Sequence, residues 1–296
     1  MTTESQLRAD IVEVGRRMYA RGYTASNDGN ISARLGDDRL LMTPRSVCKG
    51  FMTPDMMCIT DLNGKKLQGD RDPSSEMPMH LEVYRQRPDA RAVCHAHPPI
   101  ATGFAVAGIP LDRAVLAEVL TTLGSIPIAE YATPSTSELP EAVRKYVKAH
   151  DGMLLANHGA LTLGTDVLSA YYKLETIEHF AKISLVARML GRENLIARDE
   201  VDRLQALRTN YGINAPAPIC PHPTVLGDLL SGPDQMTCQV VHAPDGDGRS
   251  RLVPDPIVPG QTSPAARPAE PDGDEEIRLT YRELSALIED AIRSLK

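Results

Sequence analysis

Residues 78–99 read PMHLEVYRQRPDARAVCHAHPP, and the hydrophobic period changes part-way along them. Pro78 to Gln86 is predicted to be a helix opened by its proline, whose missing amide costs nothing in a first turn where that amide has no partner. Ala92 to His97 alternates as a strand does and leaves through the turn-forming pair Pro98-Pro99. The same exchange of periods extends outward. Upstream, Leu7 to Tyr19 has the apolar spacing of an amphipathic helix, Arg39 to Met42 and Met56 to Thr60 read as strands, and Asn63-Gly64 is a tight hairpin turn. Downstream, Ile126 to Glu130 and Met153 to Asn157 are short strands with a helix from Glu138 to Ala149 between them. Asp166 then caps a long helix running to about Met189. Interleaved strands and helices make the class α/β.

The strand at Ala92 to His97 carries His95 and His97 two residues apart, so both imidazoles point to one face of the sheet. A third histidine, His158, stands where the apolar run Met153 to Ala156 gives way to Asn157 and Gly159. Three neutral imidazoles with an open fourth position are the ligand set of a catalytic zinc; ordinary sheet and turn histidines are the alternative. Upstream, Ser74 and Ser75 precede Glu76 at a helix start. Hydroxyls and free amides there suit an anion and the acid suits a general base, although either serine can equally serve as an N-cap. The segment Ser26 to Ser32, with Gly29 and Asn30, allows close backbone approach to an oxyanion and reads equally as a plain loop.

Together these pieces resemble the class II aldolase/adducin family. The resemblance rests on Gly29-Asn30-Ile31-Ser32, Met42-Thr43-Pro44, Ser74-Ser75-Glu76, His95-Ala96-His97, Ser125-Ile126-Pro127, Tyr131-Ala132 and Asn157-His158-Gly159, in that order, over roughly residues 5–210. It implies a three-layer α/β/α sandwich around a mostly antiparallel central sheet, assembled as a homotetramer with sites between neighbouring subunits. It also implies that His95, His97 and His158 hold one zinc ion per subunit, that Glu76 is the catalytic acid/base, and that Gly29, Asn30, Ser74 and Ser75 contact a phosphate. Two positions depart from the members that cleave L-fuculose 1-phosphate. Arg45 and Ser46 replace a Thr-Gly pair, which puts a guanidinium beside the anionic group. Leu116 stands where those members have a tyrosine that protonates the product alkoxide, and Glu118 and Tyr211 are the candidates to replace it.

The chain of 296 residues is 42% hydrophobic, enough for one large domain with appendages, and its formal charge of −7 gives no footprint for nucleic acid or an anionic membrane. It lacks the roughly 18-residue apolar run of a membrane span, and Met1 to Glu4 do not begin a signal peptide, so a cytoplasmic protein is expected. The odd number of cysteines fits a reduced compartment without structural disulfides. The catalytic domain is expected over 1–215, an extension of undefined structure over 216–253, and a flexible linker over 254–275, where Pro254, Pro256, Pro259, Pro264, Pro268 and Pro271 deny backbone donors. Cys220, His222, Cys238 and His242, in the extension, read as loop residues or as a second zinc site of unusual spacing.

Residues 276–296 then form an amphipathic helix, with Thr280 and Glu283 at capping-box spacing and Leu284, Leu287, Ile288, Ala291, Ile292 and Leu295 on one face. A tether ending in such a helix resembles the encapsulation peptides that load enzymes into bacterial microcompartments, where the apolar stripe docks on a shell protein. Packing on its own tetramer is the second reading, and a membrane surface the third. The expected activity is a lyase that cleaves a ketose 1-phosphate of the L-fuculose or L-rhamnulose type to dihydroxyacetone phosphate and a small aldehyde. A sugar-phosphate 4-epimerase or dehydratase of the same fold, and a non-catalytic adducin-like scaffold, are the alternatives.

Overall fold

The computed structural model describes residues 2–210, 213 and 217–219, together with the backbone of residues 238–242 and 250–254. The chain opens with α1 (Glu4–Ala20), capped by Thr3, whose side chain accepts from the Gln6 amide. It continues through β1 (Asn30–Leu35), β2 (Arg39–Met42), β3 (Cys58–Asp61), β4 (Lys66–Gln68), α2 (Met77–Gln86) and β5 (Ala92–Ala96). Then come α3 (Pro99–Val106), α4 (Ala117–Thr122), β6 (Ile128–Ala129), α5 (Glu138–Val147), β7 (Gly152–Leu155), β8 (Gly159–Gly164), α6 (Val167–Met189) and α7 (Arg198–Asn210).

Eight strands form one sheet in the order β4-β3-β2-β1-β5-β8-β7-β6, antiparallel throughout except for the parallel β6–β7 pair. Each face buries its own core, because alternate residues of a strand point opposite ways. On one side Ile31 and Ala33 of β1 and Cys94 and Ala96 of β5 pack with Ile11, Val14 and Met18 of α1 and with Tyr171, Leu174 and Ile177 of α6. On the other, Val93 of β5 and Leu161 and Leu163 of β8 pack with Met79, Val83 and Tyr84 of α2 and Leu139, Val143 and Val147 of α5. This is the expected three-layer α/β/α sandwich around a mostly antiparallel sheet. No described helix is long and apolar enough to cross a membrane.

Several elements differ from their sequence reading. The expected strand Met56 to Thr60 begins only at Cys58, because Pro54 starts a short 3-10 turn over Pro54–Met56. The strand expected over Ile126 to Glu130 shrinks to Ile128–Ala129, since Pro127 has no amide to pair and Ile126 instead bridges to Leu111. Asn30 to Ser32, read as part of a loop, begins β1. In the extension whose structure the sequence left undefined, β9 (Cys238–His242) pairs antiparallel with β10 (Ser250–Pro254), so Cys238 and His242, read as loop residues, lie on a strand and Pro254, read as the start of the linker, ends one. Cys220, His222 and Tyr211, the rest of the linker, and the helix expected over 276–296 lie outside the described residues.

Candidate metal centre

His95 lies at the end of β5, directly opposite Asn30 of β1 in the antiparallel register. His97 follows two residues on, its amide held by the Tyr23 carbonyl at 2.9 Å. His158 sits in the turn between β7 and β8, where Asn157 adopts φ 55°, a left-handed conformation that asparagine tolerates. That turn brings the third ring against the first two: the centroids are 5.0 Å (His95–His97), 4.7 Å (His95–His158) and 5.1 Å (His97–His158) apart. One nitrogen of each ring lies within 4.8 Å of the others.

The hydrogen bonds decide which nitrogens face inward. His95 Nδ1 donates to the Ala160 carbonyl at 3.0 Å, so its lone pair is on Nε2. That Nε2 is 3.2 Å from His97 Nε2, and Asp28 Oδ2, 3.5 Å from His97 Nδ1, favours the tautomer with the lone pair on Nε2 there as well. Two nitrogens bound tetrahedrally to zinc at the usual bond length stand about 3.3 Å apart, so the pair fits such an ion. Burial drives both His95 and His97 below the ordinary imidazole pKa, towards the neutral form a metal needs.

Glu76 completes the cluster. It is the residue before α2, its Oε1 is 3.0 Å from His158 Nε2 and its Oε2 is 3.3 Å from His95 Nε2. A carboxylate oxygen facing an imidazole lone pair is repulsive unless a cation lies nearby, and this too fits a metal. Burial raises the Glu76 carboxyl, but positive charge at the His95 and His158 positions, which a bound cation would supply, and the amide donated by Asn30 outweigh it and hold the group well below the usual carboxylate range. Neither serine supplies a cap from the N-cap position, which is Glu76 itself; Ser74 Oγ instead accepts the Glu76 amide at 3.3 Å.

The residues expected to bind an anion come from three segments that the backbone ties together. Thr43 N donates to the Ile31 carbonyl at 3.0 Å, Ser74 N to the Thr43 carbonyl at 3.1 Å, and Arg45 N to the Asp72 carbonyl at 2.9 Å. Gly29 has φ 73°, and a Cβ there would sit 2.9 Å from the His95 carbonyl, so the loop can run this close only with glycine. Ser46 is also left-handed, at φ 57°. Ser75 is half-buried beside Glu76. Asn30 is 2% exposed, and its side chain is spent on Glu76 Oε2 at 2.7 Å and on His80.

Two residues of this region escaped the sequence reading. Lys49, 2% exposed, donates to the carbonyls of Asn27 at 2.9 Å and Val47 at 2.6 Å and so clamps the Gly29 loop to the Arg45–Ser46 loop. Burial lowers its pKa to about 8. His80 is fully buried beneath Asn30. The two candidates to replace the tyrosine fare differently: Leu116 and Glu118 line a cavity of about 820 Å³ with Arg21, Tyr23 and Lys182, which neither Glu76 nor the three histidines line, and Tyr211 lies outside the described residues.

The class II aldolase and adducin N-terminal domain model matches residues 9–185. Among relatives, the 3-oxo-tetronate 4-phosphate decarboxylase of Pectobacterium atrosepticum is 30% identical over 190 residues, which cover 63% of this chain and 87% of that one. The L-fuculose phosphate aldolase of Methanococcus maripaludis is 33% identical over 181 residues, 61% of this chain and 97% of that one. The solved structure of L-fuculose-1-phosphate aldolase from Thermus thermophilus superposes with a TM-score of 0.57 at 30% identity, over 64% of this chain and 98% of that one.

Proposed function

The chain belongs to the class II aldolase and adducin family, whose aldolases are metal-dependent lyases, and on that premise we propose that it is a zinc enzyme that cleaves a ketose 1-phosphate of the L-fuculose or L-rhamnulose type. The products are dihydroxyacetone phosphate and a small aldehyde. One juxtaposition carries the reading: the Glu76 carboxylate lies against the Nε2 atoms of His95 and His158.

Breaking the carbon–carbon bond beside a ketone leaves an enediolate, whose negative charge must be stabilised where it develops. His95, His97 and His158 would hold a divalent cation, and such an ion would supply that stabilisation as a Lewis acid. Glu76 delivers a proton to the enediolate carbon to give dihydroxyacetone phosphate, and removes it in the reverse direction. Gly29, Ser74, Ser75, Arg45 and Ser46 hold the phosphate through backbone amides, hydroxyls and the guanidinium.

Decarboxylation is the second reading, and Leu116 favours it. An aldol cleavage must take a proton from the hydroxyl of the departing fragment, whereas loss of carbon dioxide from a 3-oxo acid needs no such group. Loss of carbon dioxide from 3-oxo-tetronate 4-phosphate leaves the same enediolate for Glu76 to protonate, and the planar Arg45 guanidinium suits a carboxylate. The test is metal analysis of the purified protein with dihydroxyacetone phosphate release from L-fuculose 1-phosphate, L-rhamnulose 1-phosphate and 3-oxo-tetronate 4-phosphate. About one zinc per subunit and release with an aldehyde support the aldolase, and release from the 3-oxo acid alone supports the decarboxylase. Epimerisation or dehydration without release of a three-carbon product would overturn both. We further propose a homotetramer, and docking of residues 276–296 on a microcompartment shell protein.

A further inference from the structure

We propose that His80, which is no part of the histidine trio, is a positioning residue that fixes the side-chain amide of Asn30 and through it the Glu76 carboxylate, as the middle member of a one-way hydrogen-bond chain. The inference rests on the reading of Glu76 as the acid/base.

Glu76, His80 and Tyr84 stand four residues apart, at the start of α2 and along it, while Asn30 and Ser32 stand two apart on β1. Four helical residues rise about 6 Å and two strand residues about 6.6 Å, so the two sets can mesh like alternate teeth. They do. Asn30 Nδ2 is 2.7 Å from Glu76 Oε2, His80 Nε2 is 2.5 Å from Asn30 Oδ1, His80 Nδ1 is 2.7 Å from Ser32 Oγ, and Ser32 Oγ is 2.9 Å from the Tyr84 hydroxyl. Asn30, Ser32, His80 and Tyr84 are all buried, and the Arg34 guanidinium lies over the Tyr84 ring, 4.9 Å from its centroid.

The direction of every bond is then forced. Ionised Glu76 can only accept, so Asn30 must turn its NH₂ towards it and its oxygen towards His80. That oxygen can only accept, so His80 carries its proton on Nε2. Burial lowers the His80 pKa to about 4, so the ring has only that one proton, and its Nδ1 must accept from Ser32. The Ser32 oxygen in turn accepts from Tyr84. Each donor thus points towards Glu76. Asn30 occupies Oε2, and Oε1, which faces His158 Nε2 at 3.0 Å, is the oxygen that would take and return the substrate proton once that nitrogen is committed to the metal. A free Asn30 amide would instead be able to flip and set its oxygen against the carboxylate.

The test is exchange of the hydroxymethyl protons of dihydroxyacetone phosphate in deuterium oxide, followed by proton magnetic resonance on the metal-loaded enzyme. This half-reaction is common to the aldolase and the decarboxylase. His80→Met, which removes the donor at similar volume, is expected to slow the saturated exchange rate by about tenfold or more, with the apparent KM within about twofold and metal content unchanged. His80→Gln, which keeps one donor, is expected to recover most of that loss, and His80→Met added to Asn30→Ala is expected to cost nothing further. Glu76→Gln separates the two failures. If Glu76→Gln exchanges as well as the parent, the acid/base reading falls. If it is inactive while His80→Met keeps the parent rate, the positioning role alone falls. Should His80→Met lose metal or fold, Ser32→Ala is judged by the same rate criterion, and a parent-like rate there overturns the proposal.

Discussion

Gly159 follows the third histidine, and a Cβ placed on it would press on the Ala96 carbonyl and come within 2.6 Å of His97 Cδ2. Gly159→Ala must therefore push β8 away from β5 or displace the His97 ring. We expect a loss of about 1–3 kcal/mol in unfolding free energy together with weaker zinc binding by calorimetric titration. Gly164→Ala, where the Cβ would meet the backbone around Ser169 and Ala170 instead, should lose stability and keep the zinc affinity. Equal losses of affinity in both would show that His97 is not held by this packing. The trio and Glu76 were legible in the sequence because imidazoles two apart on a strand and an acid at a helix start are informative as residue types. His80 and Lys49 were not, because a single histidine or lysine reads as an ordinary helix or loop residue until its surroundings are known. The spacing Glu76, His80, Tyr84 against Asn30, Ser32 was the available signal, and it means something only once α2 is known to lie along β1.

Elements were most legible where one face is apolar or a capping residue marks the start. The Asp166 cap accepts from Ser169 N at 2.7 Å and α6 ends at Met189, as expected. β1 and β8 went unread for the opposite reason: central strands buried on both faces, they carry Asn30 and Ser32, and Gly159, Thr162 and Gly164, polar or small residues that satisfy neighbours or leave room for them. β1 thus hid its strand character in the residues that serve the site. The proposed C-terminal helix belongs to this scale as well. Removing residues 275–296 should leave dihydroxyacetone phosphate release and the tetramer unchanged and abolish co-sedimentation with shell proteins; co-sedimentation at the parent level would remove the docking role.

Among the described residues two neutral histidines outside the trio are buried, His80 and His150, each with its pKa lowered by burial to about 4. Above pH 6.5 they are neutral in folded and unfolded chains alike and contribute no pH dependence. As pH falls from 6.5 towards 4, the unfolded chain takes up protons that the fold refuses, so stability drops, by about 3 kcal/mol for each histidine across that range. Denaturant unfolding between pH 7 and 4.5 should show this decline well above the carboxylate range. His150→Asn, which keeps a donor for the Ser125 carbonyl that His150 Nδ1 reaches at 3.0 Å, should remove the share that this one histidine contributes, about 3 kcal/mol. An unchanged slope would mean that His150 titrates freely in the fold. The backbone stitching of the three anion-site segments carries a last consequence. Because main-chain bonds and the Lys49 clamp hold Arg45 and Ser46 in place, those two side chains can be exchanged without moving the metal ligands. Selectivity for the anionic group can therefore drift while the chemistry is inherited intact, and a library randomised at these two positions is the place to look for substrates with a different anion.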